Sequence, residues 1–393
     1  MTPARRIDRL PVYALAAIPQ KKRELVARGV DVIDLGAGDA DLPPPPDAVE
    51  ALANAARMPA MHRYGFGLGL VAYREAIVRF MERRFGLQFD PFAEVVPLIG
   101  SKEGIAHVAL GYLEPGDVAI IPEPGYAAYA GGAVLAGAEP HYVPLRPERG
   151  FLLELDDVPD SVLSRARVLY LNYPNNPTAA IAPRDYLERT VQRCRDLGML
   201  LVYDNAYSEL AFDGYRPPSI FEIEGAREVA VEFHSLSKTY NMTGWRCGWA
   251  VANAGIAGTL ARIKTFVDTG AFMGIQAAGV AALESYDSFV PGNLATFRER
   301  RDAAVAAFER AGFSCPTPIA TMYLWMALPD GIPSAPFADR LLTEEGVVLL
   351  PGSAFGPGGE GFVRLSFIAS PERIAEAATR SARVLASMTA GIA

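Results

Sequence analysis

The run Ser235-Leu236-Ser237-Lys238-Thr239-Tyr240-Asn241-Met242-Thr243-Gly244-Trp245-Arg246 gathers two small hydroxyls, a lysine and an arginine into a segment otherwise short of charge. It follows the apolar-rich stretch 229–233, so it reads as a strand emptying into a loaded loop. A lysine near a partly buried anion site is suited to condensing with an aldehyde, because burial and a cationic neighbour lower the cost of its neutral amine. Ser235 and Arg246 suit a phosphate dianion, the arginine through a bidentate fork. An aldehyde that carries a phosphate is pyridoxal 5′-phosphate. An isolated lysine is usually a surface residue; the order of residues around Lys238 argues for the cofactor.

Other candidates fall at the ends of apolar runs. Gly100-Ser101-Lys102-Glu103-Gly104 reads as a turn opening a helix, whose N–H groups with the Ser101 hydroxyl would cradle a phosphate. Tyr126 follows a strand and would stack on a pyridine ring. Asn176 precedes a proline, which disfavours helical backbone, and its amide would donate to the cofactor's phenolic oxygen. Asp204 ends an apolar strand, where a buried carboxylate needs a charged partner. A protonated pyridine nitrogen supplies one, and keeping it protonated lets the ring accept electrons as a substrate α-proton leaves. Tyr207 would hydrogen-bond the phenolic oxygen. Arg364 lies between Val363 and Leu365 in a strand pattern, and a substrate α-carboxylate is its natural bidentate partner. Each has a plainer alternative: a glycine turn, a core aromatic, an Asn-Pro turn, a helix cap, an internal salt bridge.

These positions need a framework. The chain has 393 residues, half of them hydrophobic, and a net charge of −8. That suits a soluble two-domain protein and argues against partners such as nucleic acid or a membrane. Three unpaired cysteines, Cys194, Cys247 and Cys315, fit a reducing cytoplasm. His62, His107, His141 and His234 are too scattered to suggest a metal site. The apolar patch 13–18 is too short for a signal peptide, and no run reaches transmembrane length. Between 95 and 273, near-continuous apolar strands alternate with amphipathic helices, the pattern of an α/β fold with a mainly parallel sheet flanked by helices. Ligands sit at the carboxyl ends of such strands. Past Pro291-Gly292 the pattern changes to a charged helix over 297–310 and a smaller α+β domain. The expected division is residues 1–45 as N-terminal arm and part of the small domain, 46–290 as the large domain, and 291–393 as the C-terminal small domain.

Ser-x-Ser-Lys followed by Gly-Trp-Arg resembles the lysine signature of class I aminotransferases, pyridoxal-phosphate enzymes of fold type I. The runs 98–107, 172–178, 206–209 with 212–215, and 235–246 are similar to the LL-diaminopimelate aminotransferase branch of that family, and the likeness spans nearly the whole chain. The resemblance implies a homodimer with active sites at the subunit interface. It implies that Tyr64 reaches the neighbouring subunit's phosphate, that Tyr13 and Gly38 line the substrate side, and that Lys102, Asn176 and Arg364 also meet substrate. Ser101, Lys102, Tyr126, Asn176, Asp204, Tyr207, Ser235, Lys238 and Arg246 would hold the cofactor, with Lys238, Asp204 and Tyr207 in catalytic roles. The implied reaction is a ping-pong transfer of an α-amino group from an amino acid to a 2-oxo acid, 2-oxoglutarate, serving lysine biosynthesis. Ala179 stands where the family usually has glycine. Gly67 replaces a glutamate of plant-type members, and 268–271 lacks their asparagine. Both positions recognise the substrate's far end, so a broader alanine, aspartate, glutamate or methionine aminotransferase is the alternative.

Overall fold

The computed structural model describes residues 1–11, 18–66 and 69–390. A short strand β1 (Ile33–Asp34) precedes seven strands of a central sheet: β2 (Val95–Leu98), β3 (Val118–Glu123), β4 (Glu139–Pro144), β5 (Ala166–Leu171), β6 (Leu200–Asp204), β7 (Ala230–Ser235) and β8 (Gly248–Ala252). The C-terminal part adds β9 (Tyr323–Ala327), β10 (Val347–Val348), β11 (Leu350–Pro351) and β12 (Phe362–Ser366).

Every residue of β6 and β7 is buried. Strands with no polar face to give to water must be covered on both sides. The order is β2-β8-β7-β6-β5-β3-β4, and only β8 runs against its neighbours. The sheet is therefore mainly parallel, as the apolar runs imply. Side chains alternate between its two cores: Leu201 and Tyr203 of β6 join one with Phe80 and Trp249, and Val202 joins the other with Ile105, Tyr129 and Phe233. Because β3, β5, β6 and β7 are parallel, the segments that leave their carboxyl ends emerge along one edge.

A third core unites both chain ends. Ile33 and Leu35 pack with Phe308, Leu324, Phe337, Leu365 and Phe367. β1 pairs in parallel with β10, Ile33 opposite Val347, and β11-β12-β9 forms an antiparallel sheet.

Two local readings change. The segment after β7 is a helical turn, Leu236–Thr239, and not a loop: the Ser235 hydroxyl accepts the Ser237 N–H at 3.2 Å and so caps it. The charged helix begins at Tyr286 and runs to Arg310, so Pro291 lies inside it and the helix passes straight through 290/291. A proline here forfeits one intrahelical hydrogen bond, but burial of Val290, Asn293 and Phe297 holds the helix through it.

Candidate active site

A cavity of about 400 Å³ opens at the carboxyl ends of β3, β5, β6 and β7. Gly38, Ser101, Lys102, Tyr126, Asn176, Asp204, Tyr207, Ser235, Lys238, Arg246 and Arg364 all line it. Tyr64 lies outside its own chain's cavity, 71% exposed, its ring 5.8 Å from that of Phe66. Tyr13 and Gly67 fall outside the described residues.

One end of the cavity is built for an anion. Ser101 begins the helix Ser101–Tyr112, whose N-terminal amides carry the positive end of the helix dipole. Arg246 adopts a left-handed backbone, φ 57°, and donates from Nη1 to Thr243 O at 2.8 Å. Gly100, at φ 74°, lets the guanidinium approach: a Cβ there would lie 2.4 Å from Arg246 Nη2. With Ser235 and Ser237 also on the wall, this is a donor set for phosphate.

Asp204 sits at the other end, buried. Its Oδ2 accepts the Tyr129 hydroxyl at 2.9 Å, while Oδ1 has no hydrogen-bond partner among the described residues. Burial pushes the carboxyl up to about 6, against the opposing pull of Tyr129, the Ala206 N–H, His234 and Lys238. A buried carboxylate oxygen left unpartnered beside a cavity calls for a cationic N–H, and the protonated nitrogen of a pyridine ring meets that need. Tyr126 lies on the wall between these ends, its ring edge-on to Tyr129 at 5.6 Å and 5.9 Å from Lys102 Nζ. Lys238 Nζ donates to Gly38 O across 200 residues of sequence. The residues present therefore fit pyridoxal phosphate at its phosphate, ring nitrogen, ring face and aldehyde.

The substrate side is organised by Arg364, which is 3% exposed. It donates from Nη1 to Asn176 Oδ1 at 2.7 Å and from Nη2 to Gly36 O at 2.8 Å. Because arginine only donates, the Asn176 oxygen must face it, leaving the amide NH₂ as the donor the sequence reading asked for. Asn172 orders the same loop: it accepts the Asn176 N–H at 2.8 Å and donates to Asp204 O at 2.7 Å.

Tyr323 and Phe355 line the site and were missed in the sequence. The Arg364 guanidinium lies 4.1 Å from the Tyr323 ring centroid and 4.9 Å from that of Phe355. Tyr207, expected to serve the phenolic oxygen, has its hydroxyl 3.0 Å from that of Tyr323. Burial would raise the Tyr323 hydroxyl, but Arg364 and Lys238 outweigh it and hold the group below the ordinary phenol value. A Cβ at position 38 would fall 2.6 Å from the Tyr323 oxygen, which explains Gly38. Tyr323 carried no local signal, since it sits in an ordinary apolar strand pattern.

His107 gathers with Glu103 and Asp268, their ligand atoms all within 4.8 Å of one another. Lys264 Nζ occupies the cation position among them, 2.9 Å from Glu103 and 3.0 Å from Asp268. The separation of 161 residues between Glu103 and Lys264 hid this cluster from local inspection.

A model of class I and II aminotransferases matches residues 30–380. The chain is 47% identical over 386 residues to the LL-diaminopimelate aminotransferase of Desulforudis audaxviator, covering 98% of each. It is 43% identical to that of Aquifex aeolicus, covering 95% of this chain and 97% of the relative. Among solved structures, substrate-bound BacF from Bacillus subtilis superposes with a TM-score of 0.93 at 35% identity, covering 98% of both chains. A probable N-succinyldiaminopimelate aminotransferase from Thermus thermophilus gives 0.88 at 39%, covering 94% of this chain and 99% of the other.

Proposed function

The chain belongs to the class I and II aminotransferases, and on that premise we propose that its amino donor is LL-diaminopimelate and its acceptor a 2-oxo acid, 2-oxoglutarate, in lysine biosynthesis. It is a pyridoxal-phosphate-dependent transaminase. The full-length likeness to LL-diaminopimelate aminotransferases, 47% identical in one case, carries the choice of donor.

When bound, pyridoxal phosphate supplies an electron-poor ring that accepts the electrons released at the substrate α-carbon. The chain supplies the rest. Lys238 Nζ removes the α-proton as general base and, as general acid, would deliver it to the carbon that keeps the amino nitrogen, its reach set by the turn that caps on Ser235. Arg364 holds the α-carboxylate, and its contacts with Asn176, Tyr323 and Phe355 fix the guanidinium plane, so the bond to be broken keeps one orientation. Asp204 sets a negative charge where a ring nitrogen must stay protonated, while Tyr207 and Asn176 provide donors for the phenolic oxygen. Ser101, Ser235 and Arg246 would grip the phosphate, and Tyr126 would cover the ring face. Lys102, beside Tyr126 on the cavity wall, would meet both cofactor and substrate.

Two copies pair with the sites at their interface. Exposed Tyr64 and Phe66 on a loop away from their own cavity support this, since such aromatics gain by being covered. A reducing cytoplasm is supported by three free, buried cysteines; among the described residues no helix is long and apolar enough to cross a membrane. The units run over 1–45 with 291–393 and over 46–290, a division supported by the core that Ile33 and Leu35 share with Phe308, Leu324 and Phe367; the helix Tyr286–Arg310 crosses the boundary, and Tyr207, Leu210 and Phe212 of the large unit join that core.

The test is the absorbance of the purified holoenzyme as single amino acids are added without acceptor. LL-diaminopimelate is expected to convert the chromophore to its amine form. A second reading, a broader donor range, is favoured by the lack of asparagine in 268–271. Conversion by alanine, aspartate or methionine but not by LL-diaminopimelate would replace the first reading with the second.

A further inference from the structure

We propose that Tyr129 is a positioning residue for the reaction: its hydroxyl fixes the rotation of the Asp204 carboxylate plane toward the cavity, and its ring braces Tyr126. A carboxylate has a soft terminal torsion, so without a fixed donor its plane would turn over a broad range. The 2.9 Å bond from the Tyr129 hydroxyl ties Oδ2 and leaves Oδ1 with no hydrogen-bond partner among the described residues.

Tyr129 can act as this fixed point because it cannot move. It is fully buried, lies face to face with Tyr170 at 4.9 Å and 16°, and meets Tyr126 edge-on at 88°. It follows Tyr126 by three positions, at the start of the helix Ala127–Leu135, so the two rings share one side of that first turn. One side chain thus links the wall for the ring face to the partner of the ring nitrogen.

The same bond bears on charge. A hydrogen bond donated to a carboxylate favours its ionised form, and burial opposes ionisation. The other groups facing Asp204 are the Ala206 N–H, His234 on β7 and Lys238 on the following turn, which favour the charge, and the Tyr207 hydroxyl. Without the Tyr129 hydroxyl, burial acts on Asp204 with its nearest side-chain donor removed.

The inference rests on Asp204 facing pyridoxal phosphate, so the test separates the two. Tyr129→Phe keeps the ring contacts and removes only the donor. Tyr170→Phe is the control, since it removes from the stacked ring a buried hydroxyl that has no hydrogen-bond partner among the described residues. In cofactor-free protein with ¹³C-labelled aspartate carboxyls, assigned through Asp204→Asn, the Asp204 titration is expected to move upward in Tyr129→Phe and to stay in place in Tyr170→Phe. Titrating pyridoxal phosphate into the same proteins and following absorbance, Tyr129→Phe is expected to bind about tenfold more weakly, the usual cost of losing a hydrogen bond to a charged group. Its kcat falls while KM for the amino donor holds. An unmoved Asp204 titration, or equal losses in both variants, would overturn the role of the hydroxyl. Failure of the wild type to bind the cofactor would instead sink the cofactor assignment, which the carboxyl titration does not depend on.

Discussion

Arg364 Nη1 donates to Asn176 Oδ1 at 2.7 Å, joining β12 of the C-terminal sheet to the loop after β5 in the central one. The two residues are 188 positions apart. One contact therefore orients the expected carboxylate anchor and the expected donor to the cofactor together.

Arg364→Lys keeps the charge but loses the planar fork and its stacking on Tyr323. We expect kcat/KM for the amino donor to fall about tenfold to a hundredfold, with cofactor affinity little changed. Steady-state kinetics with a pyridoxal phosphate titration checks both; a selective loss of cofactor instead would contradict the assignment.

Lys238→Ala removes the proposed general base and acid. Turnover should drop by at least ~10²-fold, the lower end of such contributions, while the phosphate contacts of Ser235 and Arg246 still retain the cofactor. Single-turnover absorbance measurements would reveal the loss of proton transfer directly, and wild-type rates would refute the role.

Asp204 yields a pH prediction. Its carboxyl is raised to about 6 from 3.8 in the fold, so between those values the native state binds the proton that the unfolded chain releases. Stability in cofactor-free protein is then greatest below the unfolded value and is lost as pH rises toward and through 6. Asp204→Asn removes this loss, so its stability relative to wild type should grow by about 1 kcal/mol from pH 5 to pH 8. Urea unfolding at the two pH values measures it; a constant difference would count against the raised carboxyl.

Gly100→Ala places a methyl 2.4 Å from Arg246 Nη2 and a side chain at φ 74°. Strain of about 1–3 kcal/mol is expected. Because Arg246 is displaced, pyridoxal phosphate affinity should fall further than stability alone explains. Thermal unfolding alongside a cofactor titration separates the two effects.

Lys264 is buried between Glu103 and Asp268, and Glu103 Oε2 also accepts the Ile99 N–H at 2.9 Å just before the turn at Gly100. Lys264→Met strands two carboxylates together. A loss of about 3–5 kcal/mol is expected, to be read by urea unfolding, whereas a loss below about 1 kcal/mol would mean the cluster is not a unit.

Residue types and their order along the chain sufficed for the chemistry. Lys238 with Ser235 and Arg246, Asp204 at a strand end and Asn176 before a proline were legible because the sheet places strand ends together, and apolar runs mark those ends locally. Only the tertiary structure decided the rest. Tyr129 holding Asp204, Tyr323 beside Tyr207, Lys264 among its carboxylates and the helix through Pro291 depend on packing between distant segments. Local periodicity records which face of an element is apolar, but carries no record of which side chain from another element will meet it there.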